Sequence, residues 1–346
     1  MSDFPWPDLL TRLIAGESLS RHDARAAMNE IMSGEATPAQ IAGFIVALRS
    51  KGETADEMTG LVEAMYDAAV TIDVGEPVVD LVGTGGDRAG TFNISTTAAF
   101  IAAGAGVKIA KHGNRAASSD TGSADLLEAL GLRLDHGPAT TAAMIRDVGF
   151  GFLFAPAYHP AMRHAGPVRR ELGVRSVFNF LGPMCNPARA SRSAIGVSDP
   201  KMAERMIQVL DNLGLEYAFV YYGEDGLDEL TTTGPSFIYR LKDGEITHAE
   251  FTPEDFGVRR STLDEIRGGD VIRNVEITRS VIEGAKGPHR DIALVNASPA
   301  IVAGGLADGF TEAMALAAQS VDSGDAAAVL ERALTYEGPG GDNGAP

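Results

Sequence analysis

A short aliphatic run that ends in a glycine cluster is the feature that most restricts the fold of this chain. Val78–Val82 holds three valines and a leucine, and Gly83-Thr84-Gly85-Gly86-Asp87 follows at once. A helical stretch from about Ser95 to Ala105 comes next, and then a second apolar run from Val107 to Ala110. This order of strand, loop, helix and strand predicts a parallel α/β unit with the glycine loop at the carboxyl end of its first strand.

The same alternation continues along most of the chain. It predicts a large α/β domain over residues 74–337, in which helices flank a central, mostly parallel sheet. Residues 338–346 are rich in Gly, Pro, Asp and Asn, which predicts a disordered tail. The later strand and helix signals are Phe152–Phe154, Ala194–Val197, Tyr217–Tyr221, the helical stretch Met202–Leu213 and the alanine-rich stretch Ala300–Leu334.

The first 70 residues carry helix-start signals instead of strand signals. In each signal a hydroxyl residue is followed three positions later by an acidic or amide residue, which caps the first turn of a helix. Gly34 and Gly52 then provide helix ends. The pattern predicts a small all-helical domain over residues 1–73, with a contribution from about residues 160–190. The three signals are Ser20 with Asp23, Thr37 with Gln40, and Thr54 with Glu57.

Charge and cysteine content exclude several classes of protein. The 346 residues include 29 Lys and Arg against 47 Asp and Glu, a formal net charge of −18, which argues against a general nucleic-acid binder. The single cysteine, Cys185, excludes an intrachain disulfide and a structural cysteine-zinc site. Met1–Leu10 does not read as a signal peptide, and the near-apolar run Ala98–Val107 is too short to span a bilayer. We therefore expect a cytoplasmic protein without a membrane partner.

The glycine loop suits a phosphate group. Arg88 stands where a dinucleotide fingerprint needs its third glycine, and no Gly-Lys-Ser/Thr follows to make a Walker A loop. Glycines nevertheless let the backbone approach an anion, and a helix start at Asn93–Thr96 would present N–H groups to it. The alternative, a tight turn with Ser95 or Thr96 as a plain helix cap, has equal weight from the local spacing.

Two further clusters fit such a site. Lys111–Ser119 follows the second strand run and holds three potentially cationic groups, an amide and two hydroxyls, after which Gly122-Ser123 opens another helix. Asp228-Glu229 is an acidic pair that could hold Mg²⁺ beside a polyphosphate. A solvated basic turn and a solvated acidic turn are the respective alternatives.

A third cluster combines aromatic and basic groups between Tyr158 and Arg170. It contains His159, and Arg169 comes just before a helix end at Gly173. An arginine fork fits a carboxylate through two hydrogen bonds, so Arg169 could anchor an acidic substrate. The alternative is an ordinary helix surface whose arginines favour the carboxyl end of the dipole.

Taken together, these strings resemble the anthranilate phosphoribosyltransferase family of tryptophan biosynthesis. The resemblance runs from the N-terminal helices to about residue 335, and several uncommon strings occur in one order. The shared strings are Asp80–Asp87, Thr91–Thr96, Lys111–Arg115 with Ser118-Ser119, Phe154–Pro156, Tyr158-His159, Arg163-His164, Pro167–Arg169, Phe178-Asn179, Leu181–Pro183, Asn186-Pro187 and Leu227–Glu229.

The resemblance implies a transfer of the phosphoribosyl group of phosphoribosyl pyrophosphate to the amine of anthranilate, with Mg²⁺ and without an assigned catalytic base. It implies a homodimer built through the helical domain, and a possible association with an anthranilate synthase. It places Ser95, Asp228 and Glu229 at the metal, and Gly83, His112, Asn114, His159 and Arg169 at anthranilate. The residues implied at phosphoribosyl pyrophosphate are Gly83, Gly86, Asp87, Thr91, Asn93, Ile94, Ser95, Thr96, Lys111, His112, Gly113, Asn114, Arg115, Ala116, Ala117, Ser118, Ser119 and Ser123.

Three other functions stay open from the sequence. A pyrimidine nucleoside phosphorylase would share the fold, although the Lys-His-Gly-Asn-Arg string fits the transferase better. A non-catalytic nucleic-acid-binding relative would need a basic surface, which the charge of −18 disfavours. A magnesium-dependent nucleoside triphosphatase lacks its Walker A loop.

Overall fold

A computed structural model describes residues 4–116 and 121–338. The chain opens with four helices, each amphipathic enough to bury one side against its neighbours. Together they form the small N-terminal helical domain that the sequence predicts. Their bounds are α1, Trp6–Ile14; α2, Arg21–Ser33; α3, Pro38–Lys51; and α4, Ala55–Asp67.

The predicted helix caps of this domain are confirmed. The Ser20 hydroxyl accepts a hydrogen bond from the Asp23 N–H at 3.0 Å. Thr37 and Thr54 each form a reciprocal capping box with the residue three positions later. These contacts satisfy N–H groups that have no partner inside the helix. Gly34 and Gly52 follow α2 and α3 with φ of 82° and 89°, as expected for helix ends.

A seven-stranded sheet forms the centre of the larger domain. The strand order is β3-β2-β1-β4-β5-β6-β7; the first five strands are parallel, and β6 and β7 pair antiparallel. The predicted α/β class with a mostly parallel sheet is therefore confirmed. The strands are β1, Val79–Gly83; β2, Ile109–Gly113; β3, Phe150–Phe154; β4, Arg192–Gly196; β5, Tyr217–Gly223; β6, Ser236–Lys242; and β7, Glu245–Phe251.

Helices cover both faces of this sheet. Short 3₁₀ turns at Pro160–Arg163, Gly182–Met184, Pro253–Phe256 and Leu263–Ile266 connect some of them. The helices are α5, Ile94–Gly104; α6, Ser123–Leu130; α7, Pro138–Val148; α8, Ala155–Tyr158; α9, Gly166–Leu172; α10, Phe178–Leu181; α11, Pro200–Asn212; α12, Val271–Ile282; α13, Pro288–Ala303; α14, Phe310–Asp322; and α15, Asp325–Leu334.

Side chains of β1 and β4 alternate between two hydrophobic cores. Leu81 of β1 and Ala194 of β4 lie in the core that α5, α13, α14 and α15 cover. The next residues, Val82 and Ile195, lie in a second core that contains α11 and the N-terminal helices. This alternation follows from the two-residue period of a strand. The helical domain therefore packs on one face of the sheet.

The second core also includes residues from the middle of the chain. Val168 of α9 and Phe180 of α10 pack with the buried side chains of α1–α4. The polypeptide that follows β3 thus lies against the helical domain. The boundary at residues 73 and 74 and the contribution of about 160–190 stay predictions, and the expected tail falls, except for Gly338, outside the described residues.

The side of the sheet on which successive strands are added changes at β1. From β1 it adds β2 and β3 on one side, and then crosses to place β4 on the other side. Gly83 and Gly196 pair at the carboxyl ends of β1 and β4. Ligands of open α/β sheets bind in the crevice at such a point, so the topology marks this edge as the place for a site.

The sequence reading missed β6 and β7. Asp243 and Gly244 join them with φ of 52° and 78°, which is typical of a two-residue hairpin turn. The Asp-Gly pair between two runs of alternating side chains was the signal. Across residues 4–116 and 121–338, no helix is long and apolar enough to cross a membrane.

Candidate active site

The glycine loop lies at the carboxyl end of β1 and contacts the acidic pair. The N–H of Gly85 donates to Oδ2 of Asp228 at 2.6 Å. A Cβ on Gly83 would lie 2.3 Å from the same oxygen, so a larger residue would displace the Asp228 carboxylate from this position. Gly86 has φ of +85°, which other residues rarely adopt. The loop and Asp228 therefore form one unit although they are far apart in sequence.

Helix α5 begins at Ile94, seven residues after Asp87, the last residue of the glycine loop. Its cap position is Asn93, which makes no side-chain cap bond, so neither Ser95 nor Thr96 is the plain N-cap of the alternative reading. The Ser95 N–H donates to Oε1 of Glu229 at 3.1 Å. The positive end of the helix dipole stabilises negative charge at this place. The first turn of α5 already faces an anion, here the carboxylate of Glu229.

Asp228 and Glu229 are buried, with 8% and 7% of their surfaces exposed. The alternative of a solvated acidic turn is therefore wrong. Burial raises the pKa of Asp228 to about 7, and the nearby Asp87 carboxylate adds to the effect. Burial and the charge of Asp228 raise the pKa of Glu229 well above its usual value. Two buried carboxyl groups this close favour a bound cation or proton.

Lys111 lies inside β2, not in a loop after it. His112 and Gly113 also belong to this strand, which corrects the expectation of a basic turn that starts at residue 111. The Lys111 ammonium is buried, and it donates to the Leu81 carbonyl at 2.6 Å and to the Ser95 hydroxyl at 3.5 Å. Burial lowers its pKa to about 8, while the charges of Asp80 and Glu229 oppose this shift. Lys111 thus places a cation beside the carboxylates and the start of α5.

His112 contacts a different set of groups. Its Nδ1 lies 3.2 Å from the Gly182 carbonyl, which can only accept, so Nδ1 carries the proton. Burial and then the neighbouring His159 lower the pKa of His112 to about 3, so the ring is neutral. The two imidazole rings lie 5.1 Å apart, and His159 Nε2 lies 3.0 Å from the Cys185 carbonyl. The fold therefore places the two predicted residues His112 and His159 next to each other.

Arg169 lies on α9 with its guanidinium 5.3 Å from the centre of the Phe178 ring. Burial lowers its pKa from its usual range, and in the described part of the chain it makes no ion pair. Phe178 begins α10, and Gly182, which bonds His112, follows the end of that helix. The α10 segment therefore touches both the arginine and the histidine. A half-buried guanidinium without an acidic partner can donate hydrogen bonds to the carboxylate of a ligand.

The segment after β2 is held by α6. The Ser123 hydroxyl donates to the Asn114 carbonyl at 3.2 Å. Arg115 turns its guanidinium toward α6 and pairs with Asp125 at 3.1 Å and Glu128 at 2.8 Å. The Arg115 side chain is thus paired with acidic residues of α6. Ala117, Ser118 and Ser119 lie outside the described residues.

The remaining predicted residues stand around the loop. Asn93 donates through Nδ2 to the Thr121 carbonyl at 3.0 Å, which ties the start of α5 to the segment before α6. Thr91 forms an isolated bridge with Arg267. Asp87 accepts a bond from the Ala89 N–H at 3.2 Å and lies near Asp228. Ile94 and Thr96 are buried in the first turn of α5, so only their backbones could contact a ligand.

Arg175 is a neighbour of the site that the sequence reading missed. Its guanidinium donates to the Gly85 carbonyl at 3.0 Å and to the Ser198 hydroxyl at 2.6 Å. It thereby joins the glycine loop to Ser198, two residues after the end of β4, and to the segment between α9 and α10. No local motif marks Arg175, because its partners are distant in sequence.

The donor set fits a hard divalent cation that also takes oxygens from a substrate. Within the described ranges, no three His, Cys, Asp or Glu side chains form a complete metal cage. Asp228 and Glu229 nevertheless offer carboxylates beside the Ser95 hydroxyl, and Oε2 of Glu229 is buried without a hydrogen-bond partner among these residues. Mg²⁺ uses one or two carboxylates and completes its shell with water and phosphate oxygens.

Comparison with known proteins agrees with this geometry. The model of the a/b domain of a glycosyl transferase family matches residues 75–327, and the model of the helical bundle domain matches residues 7–69. Anthranilate phosphoribosyltransferase from Arthrobacter sp. (strain FB24) is 50% identical over 333 residues, which are 94% of each chain.

Solved structures give the same result. Anthranilate phosphoribosyltransferase from Thermus thermophilus has a TM-score of 0.90 and 42% identity, and the match covers 95% of this chain and 99% of that one. The enzyme from Saccharomyces cerevisiae, in complex with PRPP and Mg, has a TM-score of 0.89 and 27% identity over 97% and 98% of the chains. With its two domains, its buried carboxylates at the switch point and these relatives, the chain belongs to the anthranilate phosphoribosyltransferase family.

Proposed function

We propose that this chain transfers the phosphoribosyl group of phosphoribosyl pyrophosphate to the amine of anthranilate. The bond from ribose C1 to the pyrophosphate oxygen breaks, and a bond from C1 to the amine nitrogen forms. The amine loses one proton, and the products are N-(5-phosphoribosyl)anthranilate and pyrophosphate. The proposal is supported by the relatives of that name and by the residues at the switch point.

One observation carries the proposal most directly. The Gly85 and Ser95 N–H groups donate to the buried carboxylates of Asp228 and Glu229 at the ends of β1 and β2, and the charge of the buried Lys111 ammonium acts on both carboxylates. A site that pairs anion-binding donors with metal-binding carboxylates suits a pyrophosphate that binds together with a cation.

The protein groups at this edge would bind the pyrophosphate end of the substrate. The glycine loop brings its amides close to the phosphates, and the first turn of α5 adds the positive end of its dipole. Lys111 contributes a cation that its hydrogen bonds to Leu81 and Ser95 hold in place. In the structure the Gly85 and Ser95 N–H groups donate to Asp228 and Glu229, so these donors are already positioned. Once the carboxylates turn to the metal, the donors would stabilise the charge that develops on the leaving pyrophosphate.

Asp228, Glu229 and the Ser95 hydroxyl would hold Mg²⁺, the ion present in the yeast relative. When bound, Mg²⁺ neutralises charge on the pyrophosphate leaving group. The chain must first release Asp228 from the Gly85 N–H or share it, because one carboxylate oxygen already accepts that bond at 2.6 Å.

The other predicted residues would bind anthranilate. Arg169 pairs with its carboxylate, while His112, His159, Asn114 and Gly83 surround the rest of the molecule. Because the neutral His112 has a pKa of about 3, it is a poor proton acceptor. A neutral aromatic amine already has a free electron pair for the attack.

An anthranilate fluorescence assay tests the proposed reaction. Anthranilate fluorescence should fall only when the protein, phosphoribosyl pyrophosphate and Mg²⁺ are all present. Leaving out any one of them, or adding EDTA, should stop the decay. Phosphate-dependent cleavage of uridine or thymidine, with no loss of anthranilate, would contradict this function and favour the nucleoside phosphorylase.

The pH dependence of magnesium activation follows from the pKa of Asp228. Since that pKa is about 7 without metal, a proton competes with Mg²⁺ below pH 7 and not above it. We expect the half-saturating Mg²⁺ concentration to rise roughly tenfold per pH unit below 7. Asp87→Asn removes the neighbouring charge and should move this midpoint to lower pH. A magnesium requirement that is flat from pH 6 to 8 would contradict the assignment.

We further propose a homodimer through the helical domain. Two large apolar side chains support it, because Ile14 on α1 is 78% exposed and Val46 on α3 is 45% exposed. The double variant Ile14→Glu, Val46→Glu should have the mass of a single chain by light scattering, while Ile272→Glu, an exposed position on α12, should remain a dimer. Equal masses for the two variants would contradict this interface.

The cellular compartment and a protein partner are also proposals. The cytoplasm is the proposed compartment. Association with an anthranilate synthase would bring the substrate close to its source. Co-elution of the two purified proteins on a sizing column tests that association.

A further inference from the structure

Gly85 of the glycine loop is hydrogen-bonded through both of its backbone polar groups. Its N–H donates to Oδ2 of Asp228 at 2.6 Å. Its carbonyl accepts from the Arg175 guanidinium at 3.0 Å and from the Ser198 hydroxyl at 2.9 Å. A proposed metal ligand therefore binds one end of this residue, and two side chains from other segments bind the other end.

The Arg175 guanidinium is packed closely between the glycine loop and α10. A Cβ on Gly86 would lie 3.1 Å from the guanidinium carbon, so the loop backbone and the arginine are in direct contact. The guanidinium also lies 5.3 Å from the centre of the Phe180 ring and donates to the Ser198 hydroxyl at 2.6 Å. A planar group that stacks on a ring and donates to two acceptors has little freedom to turn away.

The stretch from α9 to the residue after α10 also holds groups that the proposed function assigns to anthranilate. Arg169 of α9 lies 5.3 Å from the centre of the Phe178 ring at the start of α10. The Gly182 carbonyl, directly after α10, lies 3.2 Å from Nδ1 of His112. Arg175 is on the same stretch, between the two helices. A shift of Arg175 would therefore be passed to the anthranilate side of the site.

These contacts form one continuous path from the metal carboxylate to the anthranilate side. The path runs from Asp228 through both backbone groups of Gly85 to Arg175. In the described part of the chain, no other hydrogen bond joins the glycine loop to the stretch between α9 and α10. If Asp228 turns to a metal, it releases the Gly85 N–H, while Arg175 still holds the carbonyl. Movement of the loop is then transmitted through this one side chain.

We propose that Arg175 is a positioning residue that couples the binding of Mg²⁺ and pyrophosphate at the glycine loop to the binding of anthranilate at Arg169. The inference rests on the proposed function, because the ligands are those of the proposed reaction. Each ligand sets the loop and the α9–α10 stretch in the arrangement that the other ligand needs. By linkage, each then tightens the binding of the other by the same factor.

Such coupling suits a reaction that joins two substrates at one carbon. The amine attacks C1 only while both substrates are held in line, so it is useful that one bound substrate prepares the site of the other. The same coupling disfavours attack by water on phosphoribosyl pyrophosphate while anthranilate is absent, because the complete arrangement forms only with both substrates.

Calorimetry with anthranilate measures the coupling without turnover. Anthranilate is titrated into the full chain alone, and into the full chain saturated with Mg²⁺ and inorganic pyrophosphate, which has no ribosyl group to transfer. The wild type should bind anthranilate at least about 5-fold more tightly in the second titration. Arg175→Met should bind it equally in both titrations, and its affinity without pyrophosphate should match that of the wild type.

Three further variants make the comparison specific. Lys201→Met, which removes an exposed cation of α11 near Ser198, should keep the full wild-type tightening. Arg175→Lys keeps the charge without the planar fork and should keep part of it. Ser198→Ala removes the hydroxyl that bonds both Arg175 and the Gly85 carbonyl, and should also reduce it. Circular dichroism confirms that each variant folds, and Ser198→Ala decides the test if Arg175→Met does not fold.

The ratio of the two anthranilate affinities separates coupling from simpler roles. If Arg175 only stabilised the fold or only contacted pyrophosphate, its loss would change both affinities by the same factor or neither, and the ratio would stay at the wild-type value. That result in Arg175→Met or in Ser198→Ala would overturn the proposal, as would a wild type that binds anthranilate equally in both titrations. A wild type that binds anthranilate in neither titration would instead overturn the proposed function, and this inference with it.

Discussion

Asp228→Asn is expected to lower turnover by about 100–1,000-fold, the usual loss when one preorganised electrostatic group is removed. Asparagine keeps an oxygen that can accept the Gly85 N–H, so the glycine loop should hold its place. Only the negative charge is lost. A neutral oxygen is a weaker ligand for a divalent cation, so the half-saturating Mg²⁺ concentration should rise as turnover falls.

A magnesium titration of initial rates measures both effects. Glu224→Gln is the control, because this carboxylate is exposed and lies only four residues before Asp228. It should leave the titration unchanged. Kinetics for Asp228→Asn that match the wild type at every magnesium concentration would remove the acidic pair from the site. A change in turnover without any change in the magnesium requirement would also contradict the assigned role.

The local features of the fold could be predicted because neighbouring residues determine them. The caps at Ser20, Thr37 and Thr54 depend on a partner three residues away, so the sequence contains the whole interaction. The strand and the glycine loop around Gly83 could be predicted for the same reason, because their signals also lie within one short stretch of the sequence. The antiparallel hairpin had a local signal at Asp243-Gly244 that the reading passed over.

The errors at β2 have a different cause. Lys111 and His112 are polar, so they were assigned to a loop, although both are buried strand residues. Polarity usually indicates exposure to solvent, but at the carboxyl end of a central strand polar side chains face the site instead. The burial of the Asp228 carboxylate could not be predicted either, because the residues that cover it come from distant parts of the chain.

Contacts between distant segments could not be read from the sequence at all. Arg175 meets Gly85 and Ser198 only because the helical side of the molecule packs against the sheet. The buried Nε and Nη1 of Arg290, which have no hydrogen-bond partner in the described part of the chain, could not be predicted for the same reason, since burial and pairing appear only in three dimensions. The sequence indicates which residues have the right chemistry, and the fold determines which of them meet.

In the proposed function, Arg169 would bind the carboxylate of anthranilate from a different part of the molecule than the donors proposed for the pyrophosphate. Its helix, α9, packs through Val168 into the core of the N-terminal helices, whereas the phosphate-binding donors lie at the ends of the strands. The anthranilate carboxylate and the pyrophosphate would therefore be bound by different layers. A small rotation between the layers would bring the amine toward C1, so closure and catalysis should be linked.

Arg169→Ala should therefore raise the KM for anthranilate by about 10–100-fold, equivalent to one charge-assisted contact of roughly 1.5–3 kcal/mol. The KM for phosphoribosyl pyrophosphate should stay near that of the wild type, because its donors lie on other elements. Arg169→Lys keeps the positive charge but lacks the planar guanidinium fork, so its KM for anthranilate should lie between those of the wild type and Arg169→Ala. Steady-state kinetics with each substrate varied in turn measure these values, and Arg133→Ala, at an exposed arginine, is the control.

Aniline gives a second test, because it has the amine of anthranilate without the carboxylate. The wild type should strongly prefer anthranilate to aniline, and Arg169→Ala should lose most of that preference, since its missing partner is the carboxylate itself. The loss of preference should equal the rise in anthranilate KM. If the variant discriminates as well as the wild type, the carboxylate binds elsewhere, and the half-buried guanidinium over Phe178 has only a structural role.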